Sequence, residues 1–326
     1  MRVFVAGAAG AIGQRLVPQL VAAGHVVVAT TRSRAKIDAL RALGAEAVVL
    51  DGLDGVAVGE AVSRAEPDVI VHQMTSLAGM GVNLRKFDSY FATTNELRTA
   101  GTDHLLAAAA AWKVDRFVAQ SFTGWPNNRT GGRVKTEQDP LDAAPPVAQR
   151  QTLSAINYLE RAVTQAPPHS IVLRYGSLYG PGASENFAAM VRARTFPLVG
   201  GGTGVWSFAH VDDAASATVA AIQHGDAGVY NVVDDEPAEV SVWLPYVARV
   251  LGAPEPRHLP FWLASLAAGE VAVSMMTQIR GSANDAAKRD LHWQPRWASW
   301  RDGFRYGLSD VGTATSRQTR AQRPGG

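Results

Sequence analysis

With 326 residues, 47% of them hydrophobic, the chain can bury a large core and suits one compact unit with a subdomain better than several independent domains. A formal charge of +2 lends no support to a nucleic-acid partner, and the absence of cysteine excludes disulfides, thiolate metal sites and a thiol nucleophile. No metal-ligand set is expected. Residues 1–6 (MRVFVA) form a β-branched and aromatic run that leads straight into Gly7-Ala-Ala-Gly10-Ala-Ile-Gly13. Residues 14–23 then predict a helix with Leu16, Val17, Leu20 and Val21 on one face. This order of strand, glycine loop and helix is what a dinucleotide pyrophosphate requires, because helix amides and the positive helix end must point at it. Gly7 permits the tight turn, Gly10 allows backbone to approach phosphate, and Gly13 lets the helix pack on the strand.

The alternation continues with a strand at 25–31, a helix at 33–43, a strand at 46–50, a helix at 56–65 and a strand at 68–72. A long alanine-rich helix is expected over 95–112, a strand at 116–120, a helix at 153–165 and a strand at 170–174. Continuous apolar strands between helices imply an α/β fold, a Rossmann-like, doubly wound parallel sheet covered on both faces. We expect residues 1–175 to form the dinucleotide-binding domain, with return segments near 205–235, and 176–310 to be mostly a smaller substrate-binding subdomain. Residues 311–326 are polar, basic and aperiodic, which predicts a disordered tail. The apolar stretch 261–276 contains Glu270 and small residues; it predicts a buried helix, not a membrane span, and no membrane partner is expected. Because the first strand begins at Met1, no signal peptide is expected and a cytoplasmic location follows.

Charge argues the form of the coenzyme. The second strand ends in Thr30-Thr-Arg32-Ser-Arg34-Ala-Lys36, with no acid before Asp38, where an NAD enzyme usually offers a carboxylate to the ribose. Arg32 can clamp a 2′-phosphate, which favours NADP(H) over NAD(H), unless the stretch is only a solvated basic helix start. Asp51 either accepts from the adenine amino group or is an ordinary turn aspartate before Gly52.

The set GAAGAIG at Gly7, Asp51, DVIVH at Asp68, Asn95 with Gly101-Thr-Asp-His-Leu-Leu, RFVAQSFTGW from Arg116, LRYGSLYGPG from Leu173, FAHVDDAA from Phe208 and VYNVVDDEP from Val229 resembles the extended short-chain dehydrogenase/reductases, the epimerase/dehydratase branch. The resemblance implies a seven-stranded parallel sheet, with substrate held between its C-terminal edge and the smaller subdomain. It also implies that Gly7, Gly10, Ala11 and Ile12 line the pyrophosphate, with Gly13 closing the loop, and that Asp51 and Gly52 hold adenine. Met74 and Thr75 would flank the coenzyme ribose, and Tyr175 would lie near the nicotinamide.

Such enzymes usually carry Tyr-x-x-x-Lys on the helix after the fifth strand, where the ammonium lowers the phenol pKa from about 10 for proton transfer. Aligned on Glu160, Thr152 takes the tyrosine position and Ile156 the lysine position, and none of the seven tyrosines has a lysine four residues on. Ser121, Thr123 and Thr152 are therefore the catalytic candidates, Ser121 because the resemblance places it on the reacting oxygen; otherwise it caps the strand end. Packing is the default role for Tyr158, His72 is expected to be a satisfied strand-end histidine, and His210 with Asp212 and Asp213 architectural. Lys135 and Glu137 lie on the polar loop before that helix, where they either reach the substrate or, as is usual for such charges, are only solvated.

Trp206 stands where sugar-nucleotide members carry a diphosphate-gripping arginine. It is either a flat apolar substrate wall or core. Tyr179, Phe187, Phe196 and Met190 add apolar bulk nearby, and Tyr179, Asn186, Phe187 and Trp206 are the substrate candidates. These residues suit a small, partly apolar carbonyl or alcohol. An NADP(H)-dependent oxidoreductase or epimerase with a non-standard proton relay is the leading reading. A non-redox dehydratase, cyclase or isomerase and a non-catalytic NADP(H) sensor are the competitors. A small-molecule substrate and a homodimer through the alanine-rich helix are the expected partners.

Overall fold

Valine-rich segments short enough to be strands and buried on both faces make the centre of the protein. The computed structural model describes residues 1–77, 83–166 and 169–309. Strands β1 (Arg2–Ala6), β2 (Val26–Thr31), β3 (Glu46–Val49), β4 (Val69–His72) and β5 (Arg116–Phe122) join Ser170–Tyr175 and Gly228–Val232 in one seven-stranded parallel sheet. The order runs Gly228–Val232, Ser170–Tyr175, β5, β4, β1, β2, β3. Register is fixed on both sides of β1, where Val3 lies opposite Val27 and Val69.

Side chains alternate between two cores, as strand pleating demands. Val3, Val5, Val27, Ala29, Val71 and Leu173 face α1 (Ala11–Ala22), α2 (Ile37–Ala42) and, later in the chain, Val211–Gln223. Phe4, Ala6, Val28, Ile70 and Phe117 face α3 (Gly55–Ala65) and the helices that follow β4 and β5. After the short α4 (Phe87–Tyr90) come α5 (Ala92–Arg98) and α6 (Ala100–Ala111), then α7 (Arg150–Gln165).

Four features depart from the sequence expectation. The helix expected over 95–112 is two, broken at Thr99 (φ −100°, ψ −88°), whose hydroxyl turns back onto the Asn95 carbonyl. The 33–43 segment opens as a 3₁₀ turn, Arg34–Lys36, before α2. Helix α7 starts three residues before the expected 153, because Asp88 accepts from the free amides of Gln151 and Thr152. The apolar stretch after Pro260 forms Phe261–Thr277, kinked where Gly269 adopts φ 85°, and it is not buried along its first half: Phe261, Trp262 and Leu266 are 55, 68 and 69% exposed.

A third core joins Tyr179, Phe208 and Trp206 to α8 (Glu185–Arg192), Val240–Val250, Phe261–Thr277 and Trp300–Tyr306. Two architectural expectations hold. His210 Nδ1 accepts from Asp212 at the start of Val211–Gln223 while its Nε2 donates to Gly307, and Asp213 accepts from the Arg296 and Trp297 amides. No helix among the described residues is long and apolar enough to cross a membrane. The tail expected over 311–326 lies outside the described residues.

Candidate active site

The coenzyme end is built almost wholly of backbone. Gly7 has φ +89°, and a Cβ there would sit 2.6 Å from the Gln73 carbonyl oxygen at the end of β4. A Cβ on Gly13 would collide with the Ala8 carbonyl. At Gly10 a Cβ would meet only the Gly7 oxygen, at 3.6 Å, so this glycine keeps open the space in front of α1 and not a packing contact. Helix α1 has no side-chain cap and no acid in its first turn, so its first amides and positive end remain available to an anion. Buried at the same strand end, Gln73 Oε1 has no hydrogen-bond partner among the described residues. The loop therefore fits a dinucleotide pyrophosphate.

Around it, Arg32 is exposed and donates to Ser76 Oγ at 3.1 Å, while Lys36 reaches the Ala9 carbonyl of the glycine loop at 3.4 Å. These cations lie beside the loop and carry no carboxylate partner among the described residues. Asp51 is exposed and closes its own turn by accepting from Leu53. Thr75 is exposed, whereas Met74 is buried with its sulfur against Gly52. Tyr175 is likewise buried. It is 1% exposed, its hydroxyl is held by Thr218 at 2.7 Å and Gln73 at 3.0 Å, and burial pushes its pKa up to about 12.

At the reaction end each candidate hydroxyl is already engaged. Ser121 donates to Glu160 Oε1 at 2.7 Å, and Arg174 grips the same carboxylate with two bonds of 2.8 and 2.6 Å. All three side chains are buried, so Ser121 supports an ion pair instead of facing a reacting oxygen. Thr123, 2% exposed, donates to Asn127 Oδ1 and meets Ser282 Oγ at 2.6 Å. Thr152 is fully buried; it donates to Asp88 Oδ1 at 2.6 Å and accepts from Asn95 Nδ2 at 3.1 Å. Ile156, one turn on, is fully buried too. The structure thus brings the serine and threonine candidates under the C-terminal edge of the sheet but ties each to a different partner.

The sequence reading missed these partners: Asp88 and Asn95 precede Thr152 by tens of residues, and nothing in their local patterns links them to it. Beside them lies an aromatic group that was also missed. Phe87 packs on Phe91 at 4.5 Å and Trp125 at 5.2 Å, and Trp125 lies 6.3 Å from Phe122 at the end of β5.

Three of the four substrate candidates belong to the third core. Tyr179 is 2% exposed and stacks on Phe304 at 4.6 Å, its phenol pushed up by burial and by Asp234 and Asp213. Phe187 packs on Phe196 and Trp243. Trp206, half-buried, donates its indole N–H to Met275 and packs 5.1 Å from Trp243 on the third core. Only Asn186 is exposed.

His72 is satisfied, as expected: Nδ1 accepts from Met74, and Nε2 faces Thr102 Oγ1, whose proton goes to the Arg98 carbonyl. Burial holds this imidazole neutral, with a pKa of about 4. Tyr158 does not pack; it is 44% exposed and donates to Asp103. Lys135 and Glu137 are not merely solvated. Lys135 is 5% exposed against Thr130 and Asp139, and Glu137 accepts from the Asn231 amide.

Comparison with known proteins adds the family. Residues 3–233 match the model described as the NAD dependent epimerase/dehydratase family. A 3-diazoavenalumate denitrifying reductase of a Streptomyces species is 46% identical over 314 residues, 93% of this chain and 99% of that protein. A 4-hydroxy-2-methyl-3-oxo-4-farnesyl-3,4-dihydroquinoline-1-oxide ketoreductase of Stigmatella aurantiaca is 27% identical over 275 residues, covering 82% of this chain and 79% of the relative. The fold is shared with the UDP-glucose 4-epimerase of Thermotoga maritima, at a TM-score of 0.74 and 20% identity over 98% of this chain and all of that one.

Proposed function

The chain belongs to the NAD dependent epimerase/dehydratase family, and from that premise we propose that it is an NADP(H)-dependent reductase that replaces a diazo group on an apolar organic acid with hydrogen. The observation that carries this reading is the state of Thr152: its one proton is committed to Asp88, and Ile156 stands where a lysine would be expected. Reduction of a ketone generates an alkoxide that must be protonated, and positioned acids contribute about 10²–10⁴-fold to such steps. A diazonium carbon needs no such acid, because its leaving group is dinitrogen. One hydride, which bound NADPH supplies, converts R–N₂⁺ into R–H and N₂, balancing atoms and charge without a proton. The Streptomyces relative, a 3-diazoavenalumate denitrifying reductase, supports the same chemistry.

The protein's own part is to bind and to exclude water. Amides of the Gly7–Gly13 loop and the uncapped end of α1 hold the pyrophosphate. Arg32, with Lys36, holds the 2′-phosphate. The buried pairs at Ser121, Thr123 and Thr152 keep ionisable protons out of the hydride path.

The test is to supply an arenediazonium carboxylic acid with NADPH deuterated at its transferable position. One equivalent of N₂ per NADPH and deuterium on the product carbon are expected; coenzyme consumption without N₂ would overturn the reading. A second reading, ketone reduction with the proton drawn from solvent, is favoured by the Stigmatella relative's activity and predicts consumption with ketones only. For the coenzyme form, Arg32→Gln is expected to weaken NADPH binding about tenfold or more while leaving NADH within twofold.

A further inference from the structure

Arg98 ends α5 with its side chain turned inward and only 9% exposed. Its Nη1 donates to Asn95 Oδ1 at 3.2 Å, and its guanidinium lies 5.8 Å from the centre of the Phe91 ring. Its other donors meet no acceptor among the described residues, and no carboxylate comes within ion-pair distance of it. Glu160 is the anion whose field it feels, but both oxygens of Glu160 are occupied by Arg174 and Ser121. Asp88 is likewise used up, accepting from Gln151, from the Thr152 amide and from the Thr152 hydroxyl.

This group therefore holds two guanidiniums and two carboxylates: Arg174 and Glu160 pair directly, whereas Arg98 is joined to Asp88 only through Asn95 and Thr152, so neither of them has an opposite charge in contact among the described residues. A buried cation with no anion in contact is costly, so the spare donors of Arg98 are expected to take an anion that reaches them from outside. Burial lowers the Arg98 pKa only to about 10, so the charge persists at neutral pH. Its place also matters. Asn95, which holds Arg98, donates to Thr152 Oγ1, and Phe91, beneath the guanidinium, continues through Phe87 and Trp125 to Phe122 at the tip of β5.

We infer that Arg98 anchors the carboxylate of the substrate at the reaction end of the site, with the half-buried Phe91 and Trp125 rings, which Phe87 backs, beside its apolar body. This specifies the acid named under the proposed function and rests on it for the substrate class. A planar fork suits a carboxylate better than an ammonium does, so lysine is a poor substitute.

Calorimetry with 2-naphthoate and its methyl ester, in the presence of NADP⁺, tests this without turnover. The native protein is expected to bind the acid at least about tenfold more tightly than the ester. Arg98→Gln is expected to bind acid and ester alike, Arg98→Lys to recover part of the preference, and both to keep NADP⁺ affinity within twofold. Equal binding of acid and ester by the native protein, including binding of neither, overturns the inference, as does a preference that survives in Arg98→Gln. Because no reduction is measured, failure to release N₂ would sink the diazo reading while leaving this result intact.

Discussion

The two ends of the cleft are built from different materials. At the coenzyme end the chain offers backbone: an open glycine loop, uncapped helix amides, and two cations without acidic partners. At the reaction end it offers side chains, and nearly every one is spent on another: Ser121 on Glu160, Thr123 on Asn127 and Ser282, Thr152 on Asp88. An open phosphate cradle beside hydroxyls that are already engaged is the contrast on which the proposed reduction without proton exchange rests. Arg98 is the exception at that end, a charge bonded to Asn95 but with no carboxylate in contact among the described residues.

The contrast breaks most visibly at Glu160. Glu160→Gln leaves Arg174 and Arg98 buried without their carboxylate, and losing one partner of a buried pair costs about 3–5 kcal/mol. Denaturant unfolding should show that loss, with Ser121 losing its acceptor as well; a loss below about 1 kcal/mol would mean the pair is not buried as described. A slightly smaller effect is expected from His72, whose folded pKa of about 4 lies below the ordinary imidazole value of 6.5. Between those values the unfolded chain binds the extra proton. The stability is therefore complete above pH 6.5 and is lost as pH falls towards 4, by at most about 3 kcal/mol. His72→Gln should flatten that part of the stability–pH curve, and an unchanged slope would assign it to other groups.

The same contrast explains what the amino-acid order made legible. Strand, glycine loop and helix at 1–23 are local, so β1, Gly7, Gly10, Gly13 and the parallel sheet could be read directly. The partners of Thr152 could not, because Asp88 is 64 residues away and its role exists only once α4 packs on the start of α7. The partners of Tyr175, Tyr179 and Trp206 were hidden for a related reason. An aromatic residue near a sheet edge has the same local pattern whether it faces a ligand or a neighbouring ring, and here Thr218, Phe304 and Trp243 take them. The kink at Gly269 was hidden because a glycine inside an apolar run does not announce a positive φ.

At the coenzyme end, Gly10→Ala sharpens the comparison. The added methyl meets only the Gly7 oxygen, at 3.6 Å, so thermal stability should stay within about 1 kcal/mol of the native value. The same methyl occupies the space kept for phosphate, and coenzyme affinity should fall about 10–100-fold, a cost of about 1.4–2.7 kcal/mol. Equal affinity in the variant would show that the pyrophosphate does not settle against this loop.

Thr152→Val is expected to have the smallest effect, and it addresses the reaction end directly. The substitution keeps the shape of a fully buried side chain but removes the proton held by Asp88 and the oxygen that accepts from Asn95. Two bonded partners lose one contact each, though Asp88 keeps the amides of Gln151 and Thr152, so a loss of about 1 kcal/mol in stability is expected. If Thr152 supplied the proton for turnover, kcat would fall by about 10²–10⁴-fold. With its proton already committed, kcat should fall less than tenfold. Any change should appear in KM, through the tilt of Asn95 and of the Arg98 guanidinium that Asn95 holds.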